Sequence, residues 1–214
     1  MTKIILHELR LILREPRFLI PFLLPPLFLV IMQVVFYSQY GGAGQPIEAG
    51  LLLIVGVLLS TMSVTLTSDS FAGERERNTL ELLLCLPLGV RRLFFGKLLA
   101  LLPFPLLISM SSQAILWAIA GHLPWIILVE SWLYTIAVGL IVTGVSLVVS
   151  LFSKSARSAA QANVVFVLLC LGVTQAIGPS YFQTPLIPWL MVPVALIGFG
   201  AMILFALRRF EKIS

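Results

Sequence analysis

Few side chains in this sequence could make or break covalent bonds. Neither of the two histidines, His7 and His122, has a cysteine, histidine or acid at metal-ligand spacing. Serines in the apolar segments, such as Ser109, Ser111 and Ser112, have no general base beside them. The glycine-flanked serine of hydrolases and the glycine-rich loops that bind phosphates are also absent. The sequence therefore predicts a protein that is not an enzyme and that binds no metal or cofactor of its own.

The apolar segments are also poor in groups that could couple transport to protons or ions. They contain no Asp or Glu, and their only basic residue is Lys97, near the end of a segment. Carriers driven by ion gradients usually place ionisable residues inside their spans. The interior polar groups are milder: Gln33, Gln113, Asn163, Thr174 and Gln175. This pattern favours energy input from another molecule over a self-standing carrier.

A charged segment, Gly73 to Leu88, lies between two long apolar segments. Helix-favouring residues run from Glu74 to Leu86, and Pro87 ends the run. On such a helix one face would carry Glu74, Asn78, Glu81 and Cys85. Two interpretations are open. The helix either lies on the membrane beneath its own bundle, or it docks on a partner outside the bilayer.

The composition predicts an integral membrane protein. Of the 214 residues, 59% are hydrophobic and only 11% are charged, whereas soluble domains are about 25% charged. At about 20 apolar residues per helical crossing, the chain has room for six spans. The predicted spans lie near residues 18–37, 49–67, 93–120, 132–152, 159–177 and 190–207. The expected fold is all-α, with one transmembrane domain over residues 1–214 and a bend in the third span at Pro103 and Pro105.

Residues 1–16 are expected to form an amphipathic helix in the membrane interface. Basic side chains recur along one stripe and aliphatic side chains along another, and Pro16 ends the pattern. The alternative interpretation is an extension of the first span into the cytoplasm.

The basic residues predict the topology. All 14 Lys and Arg lie in four segments: residues 3–17, 75–97, 154–157 and 208–212. The three intervening loops, near residues 38–48, 121–131 and 178–189, contain none. Under the positive-inside rule, both termini and the charged segment are cytoplasmic.

Two of the outer loops have unusual chemistry. Glu130 lies among tryptophans and aliphatics near the expected outer interface. Residues 178–189 are rich in aromatic residues and proline. This second loop either re-enters the outer leaflet or forms an aromatic belt at the interface.

Small residues form stripes along two predicted spans. Such stripes let helices approach closely, and so they indicate packing within the chain or, alternatively, a dimer seam or the wall of a translocation path. The stripes consist of Gly56, Ser60, Ser63 and Thr67 in the second span, and of Thr135, Gly139 and Thr143 in the fourth.

At the charged segment the sequence resembles the permease subunits of ABC-2 type exporters. The loop of that family is acid-rich and continues with Gly-Thr-Leu-Glu, leucines, a proline and a later Gly-Lys. Here Glu74 to Glu81 reads ERERNTLE, and leucines, Pro87 and Gly96-Lys97 follow. Asn78 stands at the usual glycine, a position that demands unusual backbone angles, which asparagine tolerates. Two further segments are similar to the family: residues 14–17 and 151–155.

The resemblance implies a six-span half-transporter of a bacterial ABC exporter. It would lie in the bilayer of the plasma membrane and pair with a second copy or a paralogous permease. A coupling helix near residues 73–87 would dock on a separate cytoplasmic ABC ATPase subunit, which binds the ATP. The expected docking residues are Glu74, Glu76, Asn78, Thr79, Leu80 and Glu81.

The substrate expected from the apolar spans is apolar or amphipathic, and no nucleic acid partner is expected. Two other interpretations stay open. One is a permease of the haem-exporter type involved in cytochrome c maturation, and the other is a membrane scaffold or assembly factor without transport.

Overall fold

The computed structural model describes residues 27, 28, 31, 35, 45–60, 63–78, 90–181, 184 and 186–210. All regular structure in this part of the chain is helical. The elements are α1 (Gln45–Ser60), α2 (Ser63–Ser68), a π-helical segment (Asp69–Gly73), α3 (Glu74–Glu76), α4 (Val90–Leu101), α5 (Pro103–Ala120), α6 (Trp125–Phe152), α7 (Ala156–Tyr181) and α8 (Leu186–Phe210).

Four helical stretches of the described residues are long and apolar enough to cross a membrane. They are Phe95–Ala120, Trp125–Phe152, Ala156–Ile177 and Leu186–Arg208, and they correspond to the third to sixth predicted spans. The second predicted span falls on α1 and α2, with two undescribed residues between them. The interfacial helix over residues 1–16 and nearly all of the first predicted span lie outside the described residues. The total of six spans therefore stays a prediction.

The helices extend further into the predicted outer loops than the hydropathy pattern suggests. Helix α6 begins at Trp125, directly after Pro124, and so it contains Glu130, which the sequence placed in a loop. Helix α7 continues to Tyr181 and α8 begins at Leu186, so most of the predicted loop over residues 178–189 is helical. A charged or aromatic residue lowers the apolar score of a segment but does not break a helix, because its backbone amide is intact.

The predicted bend in the third span coincides with a break between two helices. Helix α4 ends at Leu101 and α5 begins at Pro103. The amide of Leu102 still donates to the carbonyl of Leu98 at 3.1 Å. Pro103 has no amide hydrogen, so the next bond of the ladder cannot form.

Helix α6 is the central element of the described residues. It packs against α1, α2, α5, α7 and α8, and most of its residues are buried. By contrast, α7 and α8 expose aliphatic side chains along much of their length, including Val165, Leu168, Leu169, Val194 and Ile197. Surfaces of this kind suit contact with lipid acyl chains.

A buried polar contact joins α1, α5 and α6. The Gln113 amide nitrogen donates to the carbonyl of Leu52 and to the hydroxyl of Thr135, each at 2.9 Å. Ser109 donates to the carbonyl of Gly56 at 3.0 Å. The apolar driving force for helix association is weak in lipid, so hydrogen bonds of this kind help to hold the helices together.

The described Lys and Arg residues all lie at one end of the bundle, which we call the basic end. Phe71 of the π-helical segment, Leu98 of α4, Leu151 of α6 and Leu207 of α8 form one buried cluster there. The opposite end contains the turn between α5 and α6, where Leu116 and Leu123 pack against Leu52 of α1.

We expect Gly56→Ala to destabilise the protein by about 1–3 kcal/mol, as overpacking of a filled core does. The added methyl group would overlap with Thr135 Oγ1 and Gln113 Nε2, and both of these atoms are held by hydrogen bonds. Gly50→Ala in the same helix is the matched control, because nothing lies within 4 Å of its added methyl group. Thermal unfolding in detergent measures both variants, and equal midpoints would contradict this packing.

Candidate functional site at the basic end

The second predicted span does not end at the start of the charged segment. Helix α2 leads through the π-helical segment Asp69–Gly73 into α3, so the chain stays helical to Glu76. A π-helical turn shifts the hydrogen-bond register of the backbone and often marks a functional site. The described part of the charged segment is therefore a continuation of the span.

Ser150 of α6 supports the π-helical segment at its centre. Its hydroxyl oxygen accepts the amides of Phe71 and Ala72, at 3.3 and 3.1 Å, and donates to the carbonyl of Ser68 at 3.1 Å. Asn163 of α7 donates to the Ser68 hydroxyl at 3.1 Å. Ser150 and Asn163 are fully buried. The shifted backbone thus finds its partner in Ser150 of α6, as buried main-chain groups must, and Asn163 of α7 holds the adjacent Ser68 side chain.

Glu74 forms an ion pair with Lys97 of α4. The ammonium nitrogen of Lys97 lies 2.5 Å from Glu74 Oε1. The Lys97 side chain is 2% exposed and the Glu74 side chain is 19% exposed. The same ammonium lies 5.0 Å from the centre of the Phe71 ring. A buried lysine is tolerated where an opposite charge and an aromatic face meet it.

Arg75 joins the charged segment to the end of α6. Its guanidinium donates to the carbonyls of Ser153 and Leu151, at 2.8 and 3.0 Å. The last carbonyls of a helix have no partner within the helix, and a cation near them also offsets the negative end of the helix dipole. Arg75 therefore caps the central helix.

The side chain of Glu76, the last residue of α3, contacts the first residue of α7. Its Oε2 accepts the amide of Ala156 at 3.3 Å. The first amides of a helix likewise lack partners, and an acid at that end is favourable. The bond is long and Glu76 is exposed, so its contribution is smaller than that of the buried pair.

These contacts together form a basic-end clasp, which we define as Phe71, Glu74, Arg75, Glu76, Lys97 and Ser150. The clasp links the continuation of the second span to α4, α6 and α7. Displacement of this short segment would therefore pull on α4, α6 and α7 at the same time.

The helix that carries the clasp ends immediately after it. Asn78 has a φ of 57°, the left-handed conformation, and its amide bonds to the carbonyl of Arg75 at 3.1 Å. The prediction of unusual backbone angles at Asn78 is confirmed. The prediction of one helix from Glu74 to Leu86 is wrong at this position, because a left-handed residue interrupts the α-helix. Glu74 and Asn78 therefore do not share a helix face.

The residues predicted to dock on an ATPase fall into three groups. Glu74 and Glu76 contact other parts of the same chain. Asn78 is exposed at the end of the helix. Thr79, Leu80 and Glu81 lie outside the described residues, and a coupling helix that begins after Asn78 stays a prediction.

The structure also contains site residues that the sequence interpretation missed. The roles of Arg75 and Ser150 could not be seen from local pattern, because their partners lie 75 or more positions away along the chain. Lys97 did offer a signal: it is a single basic residue inside an apolar span and needs an acid within reach.

The small-residue stripes pack inside the chain where the structure describes them. The buried members are Gly56, Thr67, Thr135, Gly139 and Thr143. Their burial within a single chain supports the packing interpretation. The side chains of Ser60 and Ser63 lie outside what the structure describes.

Apolar helices packed side by side, with basic residues gathered at one end, define a multi-pass membrane protein. The chain belongs to the ABC-2 family transporter proteins, because the model of that family matches residues 2–188. This confirms the resemblance seen at the charged segment and makes the chain a permease component of an ABC transporter. No curated protein matches the chain. Within the described residues, no group of three or more His, Cys, Asp and Glu side chains could hold a metal ion.

We expect Lys97→Met to destabilise the protein by about 3 kcal/mol, the low end for loss of one partner from a buried ion pair, since Glu74 keeps some exposure. The double variant with Glu74→Gln should recover a large part of this loss, because no uncompensated charge remains. Thermal unfolding of the two single variants and the double variant gives the coupling. Additive effects would contradict the ion pair.

The left-handed conformation predicts different stabilities for two substitutions of Asn78. Asn78→Gly and Asn78→Ala both remove the side-chain amide. A difference between the two variants therefore does not come from the loss of that amide. Asn78→Ala should be less stable than Asn78→Gly by about 1–2 kcal/mol, the cost of a left-handed conformation for a residue with a Cβ. Thermal unfolding measures the difference. An alanine variant as stable as the glycine variant would contradict the assigned φ.

Proposed function

We propose that the chain is the membrane permease of an ATP-driven exporter in the bacterial plasma membrane. It would form the path for an apolar or amphipathic substrate together with a second copy or a paralogous permease. A separate cytoplasmic ABC ATPase would bind and hydrolyse the ATP. Membership of the ABC-2 family supports the transport role. The grouping of the basic residues at one end supports a cytoplasmic location of that end.

The observation that carries the proposal is the basic-end clasp. An external ATPase can drive a membrane protein only through a segment that it contacts and that is firmly connected to the spans. The chain from Phe71 to Glu76 is bonded to α4, α6 and α7 through an ion pair, a helix cap and several main-chain bonds. The clasp would act as the connection between the docked ATPase and the bundle.

The clasp changes which residues are expected to contact the ATPase. Glu74 and Glu76 have partners within the chain, so reversal of their charges would disturb the fold before it disturbed docking. Asn78 and the adjacent Arg77 are exposed. The docking surface is therefore expected to begin at Arg77 and to continue through Thr79, Leu80 and Glu81. The interpretations as a haem exporter or a scaffold gain no observation of their own from the described residues.

The test is co-purification in mild detergent with ATPase subunits encoded beside the gene of this chain. We expect Glu81→Arg to reduce the amount of bound ATPase about tenfold, which corresponds to about 1.4 kcal/mol of binding free energy. The matched control is Lys154→Glu, because Lys154 is exposed at the same end of the bundle but lies between α6 and α7. Its reversal should leave ATPase binding unchanged.

The results separate the alternatives clearly. Undiminished ATPase binding by Glu81→Arg would overturn the docking assignment, as would an equal loss in Lys154→Glu, which would show that charge reversal anywhere at this end disrupts binding. Absence of any bound ATPase with the native chain would favour a scaffold. The double variant Glu74→Gln, Lys97→Met adds a second readout. It should retain the ATPase and lose the change in ATP hydrolysis that the native permease produces, because the connection to α4 is weakened.

A further inference from the structure

Glu130 is a buried acid at the end of the bundle opposite the clasp. It lies in the second turn of α6 and is only 7% exposed. Its main-chain carbonyl accepts the hydroxyl of Tyr181 at 2.9 Å. Its carboxylate has no hydrogen bond or ion pair to any other described residue. Glu130 is therefore an acid for which the described part of the fold provides no counter-charge.

The sequence provides no cation for this carboxylate either. All 14 Lys and Arg lie in the four segments assigned to the basic end, and the segments assigned to the opposite end contain none. Besides Glu130, the side chains in those opposite segments that can carry a charge near neutral pH are Glu48 and His122. His122 is exposed in the turn between α5 and α6, where its ring contacts the carbonyl of Ala120. A second copy of the chain would have the same asymmetry.

A carboxylate removed from water is costly unless a proton or an opposite charge compensates it. Acids inside membrane helices are accordingly rare, and they commonly mark substrate or ion pathways. Since the segments assigned to that end contain no Lys or Arg, a counter-cation for the ionised carboxylate would come from another molecule.

Aromatic side chains lie close to Glu130. The rings of Tyr134 and Tyr181 meet edge to face, with centroids 5.0 Å apart, and both residues are buried. The Tyr134 hydroxyl bonds to Thr174 at 2.8 Å, and the Tyr181 hydroxyl bonds to the carbonyl of Glu130. The hydroxyls are thus engaged. Tyr134 and Tyr181 are 2% and 0% exposed, so their rings belong to the packed core behind Glu130 and are covered by the chain itself.

We propose that Glu130 binds the cationic centre of an amphipathic organic cation, such as a lipophilic ammonium or phosphonium. The inference rests on the proposed function and narrows it, because it selects cations from the apolar and amphipathic substrates that the spans would admit. Apolar side chains around Glu130 would hold the apolar part of the ligand, and the carboxylate would distinguish a cation from an anion of the same shape.

The test measures binding to the purified full-length permease, without ATPase, in phosphatidylglycerol nanodiscs. The probes are tetraphenylphosphonium and tetraphenylborate, which match in shape and differ in the sign of their charge. After subtraction of binding to empty nanodiscs, the native chain should bind the cation at least tenfold more tightly than the anion. Glu130→Gln should abolish this preference, and Glu130→Asp should retain part of it.

Glu48→Gln is the matched control, because Glu48 is the other acid assigned to the same end. It removes one negative charge and should leave cation binding unchanged. An equal loss in Glu48→Gln and Glu130→Gln would reduce the effect to general electrostatics and overturn the proposal. The proposal would also fail if Glu130→Gln and Glu130→Asp both bound the cation as tightly as the native chain does.

A second set of nanodiscs separates the two sources of such a cation. If phosphatidylethanolamine weakens tetraphenylphosphonium binding to the native chain but not to Glu130→Gln, a lipid ammonium occupies the site. If it does not, the site serves a cation that is not a membrane lipid. Because the ATPase is absent from these assays, their outcome is independent of the co-purification test. Failure of one proposal is therefore distinguishable from failure of the other.

Discussion

The ion pair between Glu74 and Lys97 is the interaction on which the shape of the basic end depends. An ammonium group that is 2% exposed requires a close opposite charge, and only a helix continued beyond Ser68 brings Glu74 to it. That continuation includes the π-helical segment, whose amides need the Ser150 hydroxyl. The pair, the altered helix and the serine of the central helix therefore form one set of mutually dependent contacts.

The interior of the bundle follows a different rule from the core of a soluble protein. Aliphatic side chains gain little from meeting one another instead of lipid, so they cannot specify which helices become neighbours. Gln113, Thr135 and Gly56 supply that specificity through two hydrogen bonds and a close approach. The same reasoning explains why most of the buried polar residues lie on faces between helices. Tight packing and polar satisfaction are achieved there by the same residues.

Hydropathy and turn chemistry predicted much of the fold, while long-range contacts were beyond their reach. Four of the predicted spans and the break at Pro103 depend on local composition, which can be read from the sequence alone. The positive φ of Asn78 was expected from the family resemblance, which has a glycine at that position, and asparagine tolerates this conformation. The clasp was not, since Arg75 and Ser150 bond to residues far away in sequence. Glu130 was misplaced in a loop because its charge ends an apolar run without ending the helix.

The clasp also has a consequence for the order in which the protein matures. Arg75 and Glu76 bond to residues that the ribosome adds only 76 to 80 positions later. While the first half of the chain is being inserted into the membrane, these side chains have no partners. The segment reaches its final shape only once the fourth and fifth predicted spans are in place. A partner that recognises this shape would thus associate only with chains in which the helix ends around residues 151–156 have been made and inserted.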